Sequence, residues 1–306
     1  MIVDIHTHAN GHFYAIRKQA GMSEASVSDW INRILIPYHP YLKAETVDQY
    51  YSEFSPEKFI TEMDEAGIDK AVIQCAEPSG LKDEYVYNTY IKRYPDRILA
   101  FSGVNPLNKL KRFDRKSLDR VDKAVKDYGF KGVGELLPAY MGYSPNDKRI
   151  YPLYEKITEL KVPILIHAAA TPVVTAVSHM EFARPCFLEQ VADDFPDLNI
   201  IAAHMGYPWV EELLALMEKN VNIYADIAHL CIREFLLTWY LVMAKEYRVI
   251  NRIMFGTDTS CRPPKHYIEF IKVGVNHIAK RAGWPTLSRE EIDGLLGENS
   301  RKLLKL

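Results

Sequence analysis

Eight short apolar runs, each followed by a stretch with helical punctuation, constrain this chain more than any other feature. The runs are Ile2 to His6, Lys70 to Cys75, Ile98 to Val104, Lys131 to Glu135, Pro163 to His167, Asn199 to His204, Asn222 to Asp226 and Arg252 to Thr257. Most are near-continuous in apolar residues, the pattern of parallel strands buried on both faces. Between them the helix signals are explicit. Ser55-Pro56 reads as an N-cap followed by proline at the first helical position, with Phe59 and Met63 on one face and Gly67 as the stop. Pro152 opens a second helix with Leu153, Ile157 and Leu160 on one face, and Ser288 with Glu291 forms a capping-box pattern. Eight strands alternating with helices over 306 residues predict an α/β fold, a (β/α)8 TIM barrel forming one domain over 1–306.

One segment breaks the alternation. About forty-five residues, Asn10 to Phe54, separate the first strand from its helix, where a βα loop usually takes roughly two to six. Loops that follow strands lie on the catalytic face of a barrel, so this insertion is expected to cover the site. Its other use is packing or dimerisation, which leaves a homodimer open.

Composition narrows the class of partner. A net charge of −2 gives no electrostatic reason to expect nucleic acid or an anionic membrane surface. The longest apolar runs, such as Val162 to Ile166, are far too short to cross a bilayer. The first residues lack the pattern of a signal peptide, because Asp4 and His6 interrupt the apolar run at once. Cys75, Cys186, Cys231 and Cys261 share no metal or redox spacing and read as reduced thiols of a cytoplasmic protein.

The strand ends carry the chemistry. Strand one ends in His6-Thr7-His8, whose i, i+2 spacing puts both imidazoles on one face. Strand four ends in Glu135, strand five in His167, strand six in His204, and strand eight in Asp258. In a barrel these ends share one rim, and strand eight closes onto strand one. A lone buried histidine is more often a hydrogen-bonded core residue than a ligand. Four strands each ending in His or Asp make a different case. His6, His8, His167 and Asp258 form a nitrogen and oxygen shell suited to a divalent metal such as zinc. His179 and His229 follow strands five and seven and are candidates to line the pocket.

Taken together, His6-x-His8, His167, His204-Met205-Gly206 and Phe255-Gly256-Thr257-Asp258 resemble the amidohydrolase superfamily. More narrowly the chain resembles the amidohydrolase-related family of aminocarboxymuconate semialdehyde decarboxylase and the resorcylate decarboxylases. Phe195 to Leu198 and Gly297 to Leu304 support the likeness, which spans residues 1 to 306. The resemblance implies a distorted TIM barrel in which His6, His8, His167 and Asp258 bind a metal, usually zinc. It implies that His204 transfers protons and that Asp258 both ligates and takes a proton from water. Glu135 either bridges a second metal, replacing the carbamylated lysine of two-metal hydrolases, or orients a histidine.

Two reactions fit these residues. One is hydrolysis of an amide, lactone or similar bond of a small carbonyl or carboxylate substrate through metal-activated water. The other is non-oxidative decarboxylation of a small aromatic or muconate-type acid, which would use an arginine such as Arg33, Arg184 or Arg262 to hold the carboxylate. A TatD-like phosphoesterase fits less well, because Glu135 is followed by Leu136-Leu137-Pro138 and the charge offers no track for DNA. A structural barrel without activity needs neither His204 nor an open metal position.

Overall fold

A computed structural model describes residues 1–9, 55–76, 81–108, 110–170, 179–258 and 264–306. The insertion at 10–54, with Arg33, lies outside the described residues, as do Cys261 and Arg262. All eight predicted strands are present: β1 Val3–Thr7, β2 Lys70–Gln74, β3 Ile98–Ser102, β4 Gly132–Leu136, β5 Ile164–His167, β6 Ile200–Ala203, β7 Ile223–Asp226 and β8 Ile253–Met254. They pair in parallel in the order β1 to β8. The barrel is nearly closed. Strand β8 is only two residues long, and single bonds continue its path to β1: Ile5 N–H to the Phe255 carbonyl at 2.9 Å and Asp258 N–H to the His6 carbonyl at 2.8 Å.

Alternation along the strands builds two apolar layers. Ala71, Ile73, Ala100, Ile164, Ile166, Ile200 and Ala202 belong to the large core shared with the helices. The intervening Val72, Phe101, Leu165 and Ile201 form a separate buried cluster with Met254 and Leu304. That second set fills the barrel, as period-two side chains of a closed parallel sheet must. Gly132 makes room for it, since a Cβ there would lie 2.6 Å from the Phe101 ring.

The helix signals act as the sequence predicts. In the helix Pro56–Ala66, Ser55 Oγ accepts from Lys58 N–H, Phe59 and Met63 are buried, and Gly67 ends the helix at φ 70°. The helix Tyr151–Leu160 buries Leu153, Tyr154 and Ile157. Ser288 and Glu291 form the reciprocal capping box. Among the described residues no helix is long and apolar enough to cross a membrane.

A buried ion pair joins the elements after β2 and β3. Asp83 accepts from Arg120 Nε at 2.9 Å and Nη2 at 3.0 Å, and from Ser102 Oγ at 2.7 Å. The Asp83 side chain is 6% exposed and that of Arg120 is 28% exposed. Asp83→Ala takes the carboxylate away from the Arg120 guanidinium and the buried Ser102 hydroxyl. Breaking such a pair costs about 3–5 kcal/mol when both partners are buried. Because water reaches Arg120, a loss near the low end, about 3 kcal/mol, is expected in urea unfolding. A loss under about 0.5 kcal/mol, the range of an ordinary surface change, would show that the pair is structurally idle.

Candidate metal centre

The rim at the carboxyl ends of the strands gathers a buried cluster of imidazoles and carboxylates. His6 Nε2 and His8 Nε2 lie 3.3 Å apart. Asp258 Oδ1 lies 3.5 Å from His6 Nε2 and 3.2 Å from His8 Nε2. Glu135 Oε2 lies 3.6 Å from His6 Nε2 and 3.5 Å from His8 Nε2. Two donors each about 2.1 Å from a shared ion in tetrahedral geometry stand about 3.4 Å apart. Each carboxylate oxygen is therefore spaced to share a divalent cation with the two ring nitrogens.

The other oxygen of Glu135 faces a second pair of rings. Glu135 Oε1 is 2.6 Å from His167 Nδ1 and 3.5 Å from His204 Nε2, and those two nitrogens are 3.2 Å apart. His167 Nε2 turns to the Ala169 carbonyl at 2.9 Å. Both nitrogens of His167 thus face oxygen atoms, and its tautomer decides which of them donates. The sequence placed His167 with His6, His8 and Asp258. The structure links it to them through Glu135, because the carboxylate projects between the two groups. Among the described residues, three sets of donor atoms lie close enough together to share an ion: His6, His8 and Glu135; His6, His204 and Asp258; and Glu135, His167 and His204.

The backbone is bent to make this arrangement. His204, His229 and Asp258 all have positive φ, at 58°, 63° and 62°. Left-handed backbone at a non-glycine residue costs on the order of 1 kcal/mol and persists where the surroundings enforce it. Met205 and Gly206 continue the left-handed turn at φ 50° and 67°. Gly256 has a separate role. A Cβ there would lie 2.9 Å from His6 Cβ, so the glycine before Thr257-Asp258 leaves space for the histidine.

Electrostatics follow from burial and charge. Burial alone would push the His6 imidazole down, but the carboxylates of Asp226 and Glu135 outweigh it and hold it well above its ordinary value. Burial alone would raise Glu135, yet His6 and His167 hold it well below the usual carboxylate range. Asp258 is likewise kept anionic against its burial by a hydrogen bond with His8 and by His204 and His6. In physical terms the carboxylates demand positive charge. Protons on the rings or a divalent cation between them can supply it.

Two carboxylates in the site were not singled out from sequence. Asp226 Oδ2 accepts from His6 Nδ1 at 3.0 Å, while its Oδ1 accepts the backbone N–H groups of His204 at 3.0 Å and Ala228 at 2.9 Å. It sits at the end of β7, so the strand-end criterion that found Glu135 and His167 also selects it. Asp4 accepts from Thr257 Oγ1 at 2.6 Å and from Thr257 N–H at 3.1 Å, tying β1 to the chain just before Asp258. Burial pushes its carboxyl up to about 7, against the pull of those bonds. A charged residue inside an apolar strand was its only signal.

The remaining candidates divide. His229 is buried with Nδ1 3.7 Å from Asp258 Oδ2. His179 is exposed, with its ring against Phe182. Arg184 is paired with Glu212 at 2.5 Å and is 45% exposed, so its charge is already matched.

Comparison with known proteins places this fold. The family model described as Amidohydrolase matches residues 3–306. The chain belongs to the amidohydrolase family and is an enzyme of that family. No curated protein matches it. Among solved structures it is similar to 5-carboxyvanillate decarboxylase from Novosphingobium aromaticivorans, complexed with manganese and 4-hydroxy-3-methoxy-5-nitrobenzoic acid. The identity is 16% and the TM-score 0.69, covering 100% of this chain and 96% of the other. It is also similar to dihydroxybenzoic acid decarboxylase from Polaromonas sp. JS666, with bound manganese and 2-nitroresorcinol, at 14% identity and a TM-score of 0.64, covering 100% and 97%. A third is 4-oxalomesaconate hydratase from Rhodopseudomonas palustris, at 21% identity and a TM-score of 0.62, covering 100% and 96%. At these identities the likeness concerns the TIM-barrel fold.

Proposed function

We propose that residues 1–306 form one domain whose rim cluster is the active site of a divalent-metal-dependent hydrolase acting on a small carbonyl or carboxylate substrate. The observation that carries this reading is that Asp258 and Glu135 each bring an oxygen within 3.2–3.6 Å of the Nε2 atoms of both His6 and His8, which are themselves 3.3 Å apart. In this reading those four residues hold the ion, zinc by the donor set or manganese as in two of the similar structures. His167 supports Glu135 from the far side, and turning its ring would bring a lone pair to the ion. When bound, the ion polarises a substrate oxygen and lowers the pKa of water.

The chain's own groups then move protons. Asp258, anionic and next to His8, takes a proton from the attacking water. His204 donates through Nδ1 to the Ala228 carbonyl at 2.9 Å, which leaves Nε2 as the atom that exchanges a proton with the leaving group. Hydrolysis needs both transfers, and two carriers flank the cluster.

A second reading is decarboxylation of a small aromatic or muconate-type acid. It is favoured by the similarity to two decarboxylases whose structures hold manganese and aromatic ligands. It rests on a cation for the substrate carboxylate, for which Arg33 and Arg262 remain the candidates. A cytoplasmic location with reduced thiols fits either reading.

Metal analysis of the purified protein, with a panel of lactones, amides and aromatic carboxylates followed for both hydrolysis and CO2 release, tests the two together. One ion per chain with hydrolysis of a lactone or amide is the expected result. CO2 release without hydrolysis would replace the first reading with the second. Protein that binds no divalent ion would overturn both.

A further inference from the structure

We infer that Asp226 is a positioning residue that sets the tautomer of His6 and the pose of His204, and so couples the metal side of the site to its proton carrier. The metal part of this inference rests on the reading above; the tautomer part does not. Asp226 is fully buried at the end of β7, and its two oxygens divide their work.

Oδ2 accepts from His6 Nδ1. A carboxylate has no proton to give, so the hydrogen of this bond belongs to the ring. The neutral His6 ring therefore carries its proton on Nδ1 and directs the Nε2 lone pair at His8, Asp258 and Glu135. Without that partner either tautomer is open to the ring, and the one protonated on Nε2 cannot ligate.

Oδ1 accepts two backbone N–H groups, those of His204 and Ala228. The first braces His204 in its left-handed conformation at φ 58°. The second places Ala228, whose carbonyl takes the Nδ1 proton of His204. One side chain thus aims the Nε2 atoms of two histidines, one on β1 and one just after β6. The bond to His6 spans 220 positions and that to His204 spans 22.

Asp226→Asn tests this with almost no change of shape. The amide oxygen must stay with the two backbone N–H groups, since turning the amide over would set its NH2 against both of them. The NH2 then faces His6 Nδ1, which must become an acceptor, and the ring proton moves to Nε2. Long-range 1H–15N spectra of metal-free, 15N-histidine-labelled protein at alkaline pH, where the rings are neutral, report the tautomer directly. His6→Gln identifies the signal. The expected result is an Nδ1–H ring in the wild type and an Nε2–H ring in the variant. Zinc affinity by competition titration should fall about 10–100-fold, the usual effect of losing such a partner.

Asp226→Ala, which also abandons the two backbone groups, should lower the melting temperature where Asp226→Asn does not. If Asp226→Asn keeps the Nδ1–H ring and wild-type zinc affinity, the inference is wrong. If zinc affinity falls with no tautomer change, Asp226 acts only as a structural brace and the inference is equally wrong. A wild type that shows the Nδ1–H ring but binds neither zinc nor manganese would sink the metal reading and leave the Asp226 lock standing.

Discussion

His204→Asn is expected to lower turnover by about 10²–10⁴-fold, the usual effect of removing a proton-transfer group, while bound metal stays close to wild-type. The reason is positional. His204 Nε2 stands 3.5 Å from Glu135 Oε1, whereas His6 and His8 face the other oxygen, Oε2. His8→Ala should do the opposite and lose the metal, with activity following, because His8 Nε2 lies 3.2–3.5 Å from three other donors. Metal content by plasma emission and turnover on the substrate found by the panel, measured side by side, separate the two roles. Loss of metal in His204→Asn to the same degree as in His8→Ala would make His204 a ligand. Full activity in His204→Asn would remove it from the mechanism.

Glu135→Gln should be the most damaging isosteric change in the molecule. The carboxylate is 3% exposed and lies among His6, His8, His167 and His204. Replacing it removes one anionic donor and puts an amide NH2 against ring nitrogens. A drop in metal affinity beyond the 10–100-fold expected of an outer partner is the predicted result. Stoichiometry in the wild type adds a second answer. One ion per chain matches the spacing on the Oε2 side. Two ions per chain would place the second at Oε1 with His167 and His204, making Glu135 a bridge and strengthening the hydrolase reading over decarboxylation. Wild-type affinity in Glu135→Gln would exclude the carboxylate from the metal centre altogether.

Much of the fold was legible because its signals are local. Ser55, Gly67 and the Ser288–Glu291 pair act within one helical turn, and each behaves in the structure as its sequence context predicts. The eight apolar runs mark the strands to within a few residues, since a strand buried on both faces has to be apolar throughout. The least accurate was the last. Arg252 to Thr257 shrinks to Ile253–Met254, because beyond Met254 the chain turns its hydrogen bonds to Leu295 and to β1. No local pattern encodes that choice.

The sequence by itself determined that histidines and carboxylates stand at the ends of buried strands, and barrel closure then obliges them to meet. Only the tertiary structure decided which atom of each faces which partner. His6 is aimed by a carboxylate 220 positions away, and Asp4 grips Thr257 from 253 positions away. Glu135, ambiguous in sequence, is divided between two groups of rings because β4 delivers it between strand β1 on one side and strands β5 and β6 on the other. Ring orientation and tautomer depend on the nearest desolvated charge, and in a closed barrel that neighbour comes from a distant strand whose register no short stretch of sequence records.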